Sequence, residues 1–136
     1  MGSITKEVLT DANPDVVWDA IRDVGALHTR LVPGGRRVTF ANGRIVEEPI
    51  VSSSDSLRRL VWTAKAADSP LTHYNGCVQV HARAAGGSRV EWTADFLPAS
   101  AAPVLESMLN AGATAMRGAL QARAVAPISP RSNSGP

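Results

Sequence analysis

The chain predicts a single α+β domain in which an antiparallel sheet packs against helices. Three observations predict it. Apolar spacing is strand-like over residues 4–10, helical from Asn13, two-residue from Arg36 to Ala99 and helical again over 101–123. Clusters of Gly, Asn, Ser and Pro divide the two-residue stretch at regular intervals. The length of 136 residues suits one hydrophobic core.

The first element, Ile4 to Thr10, is rich in β-branched residues and short enough for a strand. Asn13-Pro14-Asp15 then reads as a helix start: a capping side chain, a proline at the first helical position and an acid at the positive end of the dipole. Val17, Ala20, Ile21, Val24, Leu27 and Leu31 keep helical spacing, and Gly25 divides the run into two short helices, with Trp18 anchoring the first to the sheet. Turn signals at 41–43, 52–56, 67–70 and 85–88 make the stretch from Arg36 to Ala99 a meander of about five strands. In the closing helix Leu105, Met108, Leu109, Gly112, Met116, Ala119 and Leu120 share a side. Residues 124–136 have the composition of a disordered tail, so the domain spans 3–123.

Charge sets the register expected of the first hairpin. A loop with Gly43 left-handed puts Val38 opposite Val46, Arg36 opposite Glu48 and Arg37 opposite Glu47, so that opposite charges face each other. The same argument, applied to the last hairpin, favours Arg83 opposite Glu91 over Arg83 opposite Arg89. Either choice keeps Tyr74, Val78, Val80, Trp92, Ala94 and Phe96 on one face. That face alternates large rings with the gaps at Gly76, Ala82 and Ala94, which reads as room for a small molecule.

Composition excludes several classes. The 14 Lys and Arg residues are scattered and the net charge is only +2, so no basic stripe offers itself to nucleic acid. No apolar run approaches the roughly 20 residues of a membrane helix, and no secretory or myristoylation signal opens the chain, which gives a cytoplasmic expectation without membrane insertion. Cys77 is the single cysteine, so an intrachain disulfide is impossible, and His28, His73 and His81 lack metal-ligand spacing, so no metal is expected. His28 reads as a packing or capping residue of the second short helix. No nucleophile motif of the Gly-x-Ser-x-Gly type is present.

Four stretches carry a resemblance: NPDVVWDAIRD after the first strand, NGRIVEEPI in the first hairpin, LTHYNGCVQV, and SRVEWTADF before the long helix. Their order and spacing, over about residues 3–123, resemble the polyketide cyclase/dehydrase and lipid-transport-like group of the SRPBCC (START-like) superfamily. The resemblance implies the helix-grip fold, with a curved sheet wrapped around the last helix and a cavity between them. Only Val32 to Gly35 separates Leu31 from the Arg36 strand, so the strand that relatives carry there has no room, leaving about six or seven strands. A sheet short of a strand exposes an edge through which a homodimer could form.

On that fold the ligand-binding candidates are Arg36, Glu48, Trp62, Tyr74, Val78, Trp92 and Phe96 from the sheet, with Met108, Gly112 and Met116 from the helix. The lining suits a small hydrophobic molecule, polyketide-like, aromatic or lipid, with one or two polar groups. Glu48 and Tyr74 are the candidates for acid–base catalysis, as a carboxylate with a raised pKa and a hydroxyl that holds a carbonyl. Three readings stand: a ligand-binding protein, a cyclase or dehydratase working without metal or nucleotide cofactor, and a non-catalytic module whose core is filled by its own side chains.

Overall fold

The computed structural model describes residues 1–22, 29–32, 35–39, 43, 45–64 and 70–125. Strand β1 (Gly2–Thr10) leads to helix α1 (Pro14–Arg22), then β2 (Thr29–Val32), β3 (Gly35–Thr39), β4 (Ile45–Ser54), β5 (Arg59–Thr63), β6 (His73–Ala82) and β7 (Ser88–Leu97). A short 3-10 turn (Ala99–Ala101) runs into the long helix α2 (Ala102–Val125). Strands β1-β7-β6-β5-β4 form an antiparallel sheet, and β4 carries the order on to β3 and β2. The division within β4 is sharp: Ile45 to Pro49 pair with β3, Ile50 to Ser54 pair with β5, and a bulge interrupts the ladder between Ile50 and Ser52. Among the described residues no helix is long and apolar enough to cross a membrane.

Strand β2 corrects two expectations. Leu31 lies in a strand opposite Arg36 and not in a helix, and the strand thought to have no room is present. Val32 pairs with Gly35, so the hairpin needs only Pro33 and Gly34 between its paired ends. A four-residue strand is too short for alternation to outweigh the helical spacing of Leu27 and Leu31. The rest of the second short helix, with His28, lies outside the described residues.

The first helix forms as its start signal requires. Asn13 Oδ1 accepts from the backbone N–H groups of Asp15 at 2.9 Å and Val16 at 3.1 Å. Its inner side buries Val17, Trp18 and Ala20 in one cluster with Val8, Val80 and Val90. The turn joining β4 to β5 clamps the helix: Arg58 reaches Asp15 at 2.9 Å, and the Trp18 indole N–H donates to Asp55 at 2.9 Å.

The first hairpin has the register that charge predicted, with Arg36 opposite Glu48, Arg37 opposite Glu47 and Val38 opposite Val46, and Gly43 is left-handed at φ 85. The last hairpin does not. Ala82 pairs with Ser88 and His81 with Arg89, and Arg83 lies in the loop, its N–H donating to Gly87 O at 3.1 Å. The cause is local backbone chemistry plus a distant contact. Gly86 and Gly87 hold φ values of 97 and 78, and a side chain on Gly87 would strike the Thr10 carbonyl. Arg89 is served elsewhere, by Glu7 on β1 at 3.2 Å. The face parity holds despite the shift, with Tyr74 opposite Phe96, Gly76 opposite Ala94 and Val78 opposite Trp92.

Candidate functional site

Strand alternation directs Lys6 and Val8 of β1, Val90 to Phe96 of β7, Tyr74 to Val80 of β6 and Leu60 and Trp62 of β5 toward α2 and α1. Ile50 pairs with Trp62, Trp62 with Gly76, Gly76 with Ala94 and Ala94 with Ile4, which makes one inward row across five strands. Glu48 and Tyr74 each stand one inward step beyond that row, in the same direction along the sheet. Helix α2 closes the face with Leu105, Leu109, Ala113 and Leu120, all buried. A Lys6–Glu106 ion pair and a 3.3 Å hydrogen bond from Gln121 to Asp11 tie the helix along the β1 side.

The gap at Gly76 is filled by the protein itself. A Cβ there would fall 2.5 Å from Cε2 and 2.6 Å from Cζ2 of Trp62, so the indole lies directly over the glycine. Phe96 covers Gly2 in the same way, and Ala94 is completely enclosed. Ala82, at the strand end, is exposed. At Gly76 the expectation that a small molecule occupies the gap is therefore corrected: the Trp62 ring from the neighbouring strand leans into it, an arrangement only glycine permits. Gly112 thins α2 for a related reason, since a Cβ on it would stand 2.7 Å from Cη2 and 2.9 Å from Cζ3 of Trp92.

The predicted site residues differ in how far they are enclosed. Trp62, Val78 and Phe96 are buried. Glu48, Tyr74, Trp92, Gly112 and Met116 are half-buried on the inward side, and Arg36 stands opposite Glu48 in its ladder. Met108 is 45% exposed on the flank of α2, outside the closed interior. Half-buried Ile50, which the sequence did not single out, joins Tyr74, Trp92 and Met116 against the core. Inward-facing apolar surface that water still reaches thus extends over β4, β6, β7 and α2.

Two further features escaped the sequence reading. Lys6 sits opposite Trp92 on the inward face; its place in the alternation Ile4, Lys6, Val8 was the available signal. The second is that Trp92 Nε1 is buried and has no hydrogen-bond partner among the described residues. Nothing in a sequence marks a missing acceptor. Among the described residues no three His, Cys, Asp or Glu side chains gather where they could hold a metal ion. Cys77 and His73 lie on the opposite face by alternation, Cys77 half-buried and His73 exposed.

Comparison with known proteins agrees with this architecture. A protein of Thermobifida fusca solved by NMR is 28% identical, with TM-score 0.69 over 91% of this chain and 93% of its own. The XoxI protein from Bacillus cereus is 21% identical, with TM-score 0.75 over 88% of this chain and 96% of its own. The Zhui aromatase/cyclase from Streptomyces sp. R1128 is 16% identical, with TM-score 0.67 over 90% and 92%. At the last two identities the likeness speaks for the fold alone. No curated protein matches the chain. The family model for polyketide cyclase/dehydrase and lipid transport matches residues 1–126. On that match across most of the chain, the chain belongs to the polyketide cyclase/dehydrase and lipid transport family.

Proposed function

We propose that the protein binds a small hydrophobic molecule, polyketide-like, aromatic or lipid, between the inward face of the sheet and α2. One observation carries the reading: Ile50, Tyr74, Trp92 and Met116 face inward yet remain partly accessible, while Val8, Val80 and Val90 in the same interior are sealed. Apolar surface that faces inward and still meets water gains free energy when a ligand covers it, at about 25 cal/mol per Å². Half-buried Glu48 and Tyr74 supply the polar groups at the end of that surface. The family and an aromatase/cyclase among its structural relatives support an apolar cargo of this kind.

A second reading, turnover of the ligand by cyclisation or dehydration, rests on Glu48 and Tyr74 standing one step beyond the same row on strands separated only by β5. In that chemistry Glu48 moves the proton and the Tyr74 hydroxyl holds the carbonyl oxygen. Thermal-shift and native mass-spectrometric screening of the full chain against aromatic ketones, polyketide-like phenols and fatty acids tests the first reading. Saturable 1:1 binding is expected, and the absence of any complex leaves the self-filled core as the account. Glu48→Gln separates the two: it spares affinity and abolishes product formation only if the ligand is transformed.

A further inference from the structure

We infer that Trp92 sets the ligand's chemical class: its indole N–H donates a hydrogen bond to an oxygen acceptor, selecting aromatic or alicyclic molecules with a carbonyl or hydroxyl oxygen over plain hydrocarbons. The inference rests on the binding reading above. It begins from an unmet donor, since Trp92 Nε1 is buried without a partner among the described residues. Burying an amide-like donor without an acceptor is costly, so such groups are rare in folded proteins and call for an explanation.

The surroundings explain why none of the described residues supplies the acceptor. In the ladder Trp92 stands between Val78 and Lys6. The inward positions diagonal to it are Gly76 and Val80 on β6, and Ile4 and Val8 on β1. All are apolar except Lys6, whose ammonium only donates. From α2, Gly112 meets the ring directly, and the inward residues Leu109, Ala113 and Met116 on the same side of the helix offer only the weakly accepting Met116 thioether, while the Glu106 carboxylate is engaged by Lys6.

The ring is also held in one attitude. Gly112 receives its benzo edge, Cη2 and Cζ3, so the edge bearing Nε1 is not the one pressed into the helix notch. A donor whose ring is fixed by its far edge, and which no described neighbour meets with an acceptor, is preorganised for one that arrives with a ligand. A site built around a donor discriminates against analogues that lack the matching oxygen, because the donor is then left buried and unmet.

The test uses two probes of one shape on the intact chain: 2-acetylnaphthalene, which carries a carbonyl, and 2-isopropenylnaphthalene, in which a methylene replaces the oxygen. Affinities are measured for the unmodified protein and for Trp92→Phe, which keeps the aromatic wall and deletes the N–H. The preference for the ketone is expected to fall about 3- to 10-fold in the variant, the equilibrium equivalent of one neutral hydrogen bond. In the unmodified protein the Trp92 indole proton, followed by NMR, moves downfield with the ketone only. An unchanged preference together with an unmoved indole proton overturns the assignment and leaves the binding reading standing. Failure of both probes to bind overturns the assignment, and with no complex in the wider screen either it overturns the binding reading as well. Should Trp92→Phe not fold, the indole proton of the unmodified protein decides alone.

Discussion

Trp18 and Trp92 are both tryptophans of the interior, and they differ at one atom. The Trp18 indole N–H donates to Asp55 at 2.9 Å, joining α1 to the β4–β5 turn. The Trp92 indole N–H is buried with no acceptor among the described residues. The first ring is 4% exposed and belongs to the sealed cluster of Val8, Val80 and Val90; the second is half-buried and, like Ile50, Tyr74 and Met116, packs against that cluster from outside it. Trp18 is satisfied within the fold, as expected of a structural residue. Trp92 keeps part of its ring accessible while its indole N–H is unmet among the described residues, which is the contrast the proposed site rests on.

The comparison can be broken in four ways. The largest effect belongs to Trp18→Ala, which empties a sealed cluster: a loss of about 3–5 kcal/mol in urea-unfolding stability is expected. Next are the glycines beneath the rings. Gly76→Ala forces the Trp62 indole off its seat and costs about 1–3 kcal/mol in the same assay. Gly112→Ala costs less, since the gain of up to about 1 kcal/mol in helix propensity offsets part of the clash, but it shifts Trp92 fluorescence.

Identical substitutions at the two tryptophans sharpen the contrast. Trp18→Phe loses a hydrogen bond and some volume and costs about 1–2 kcal/mol, whereas Trp92→Phe removes an unmet donor and costs less than about 1 kcal/mol. Chemical unfolding of both variants reads the difference, and equal losses contradict the distinction. Smallest is Asp15→Ala. Its pair with Arg58 is largely solvent-exposed, so a change below about 1 kcal/mol, shrinking further in high salt, is expected from unfolding curves at two ionic strengths.

Much of the fold was legible because it is written in neighbouring residues. Asn13-Pro14-Asp15 announces α1 through groups that bond within one turn. The Arg36–Glu48 and Arg37–Glu47 pairings follow from charge on two strands joined by one short loop. Face parity survived even where the register failed, because shifts by two residues leave side chains on the same face. What the sequence withheld depends on distant partners. The last hairpin is fixed partly by Gly87 against Thr10, far away in the chain. The gap at Gly76 looked empty because its occupant, Trp62, reaches it only through the β5–β6 pairing. For the candidate site, the inward facing of Tyr74, Val78, Trp92 and Phe96 was readable from alternation, while the unmet N–H of Trp92 was not.

The most direct test of the central claim follows the indole N–H signals of Trp18, Trp62 and Trp92 while the full chain is titrated with 2-acetylnaphthalene. The account predicts saturable 1:1 shifts at Trp92 and at Ile50, Tyr74 and Met116, with Trp18 unmoved. Absence of saturation, or shifts confined to exposed residues such as Leu57 and Val104, would contradict it.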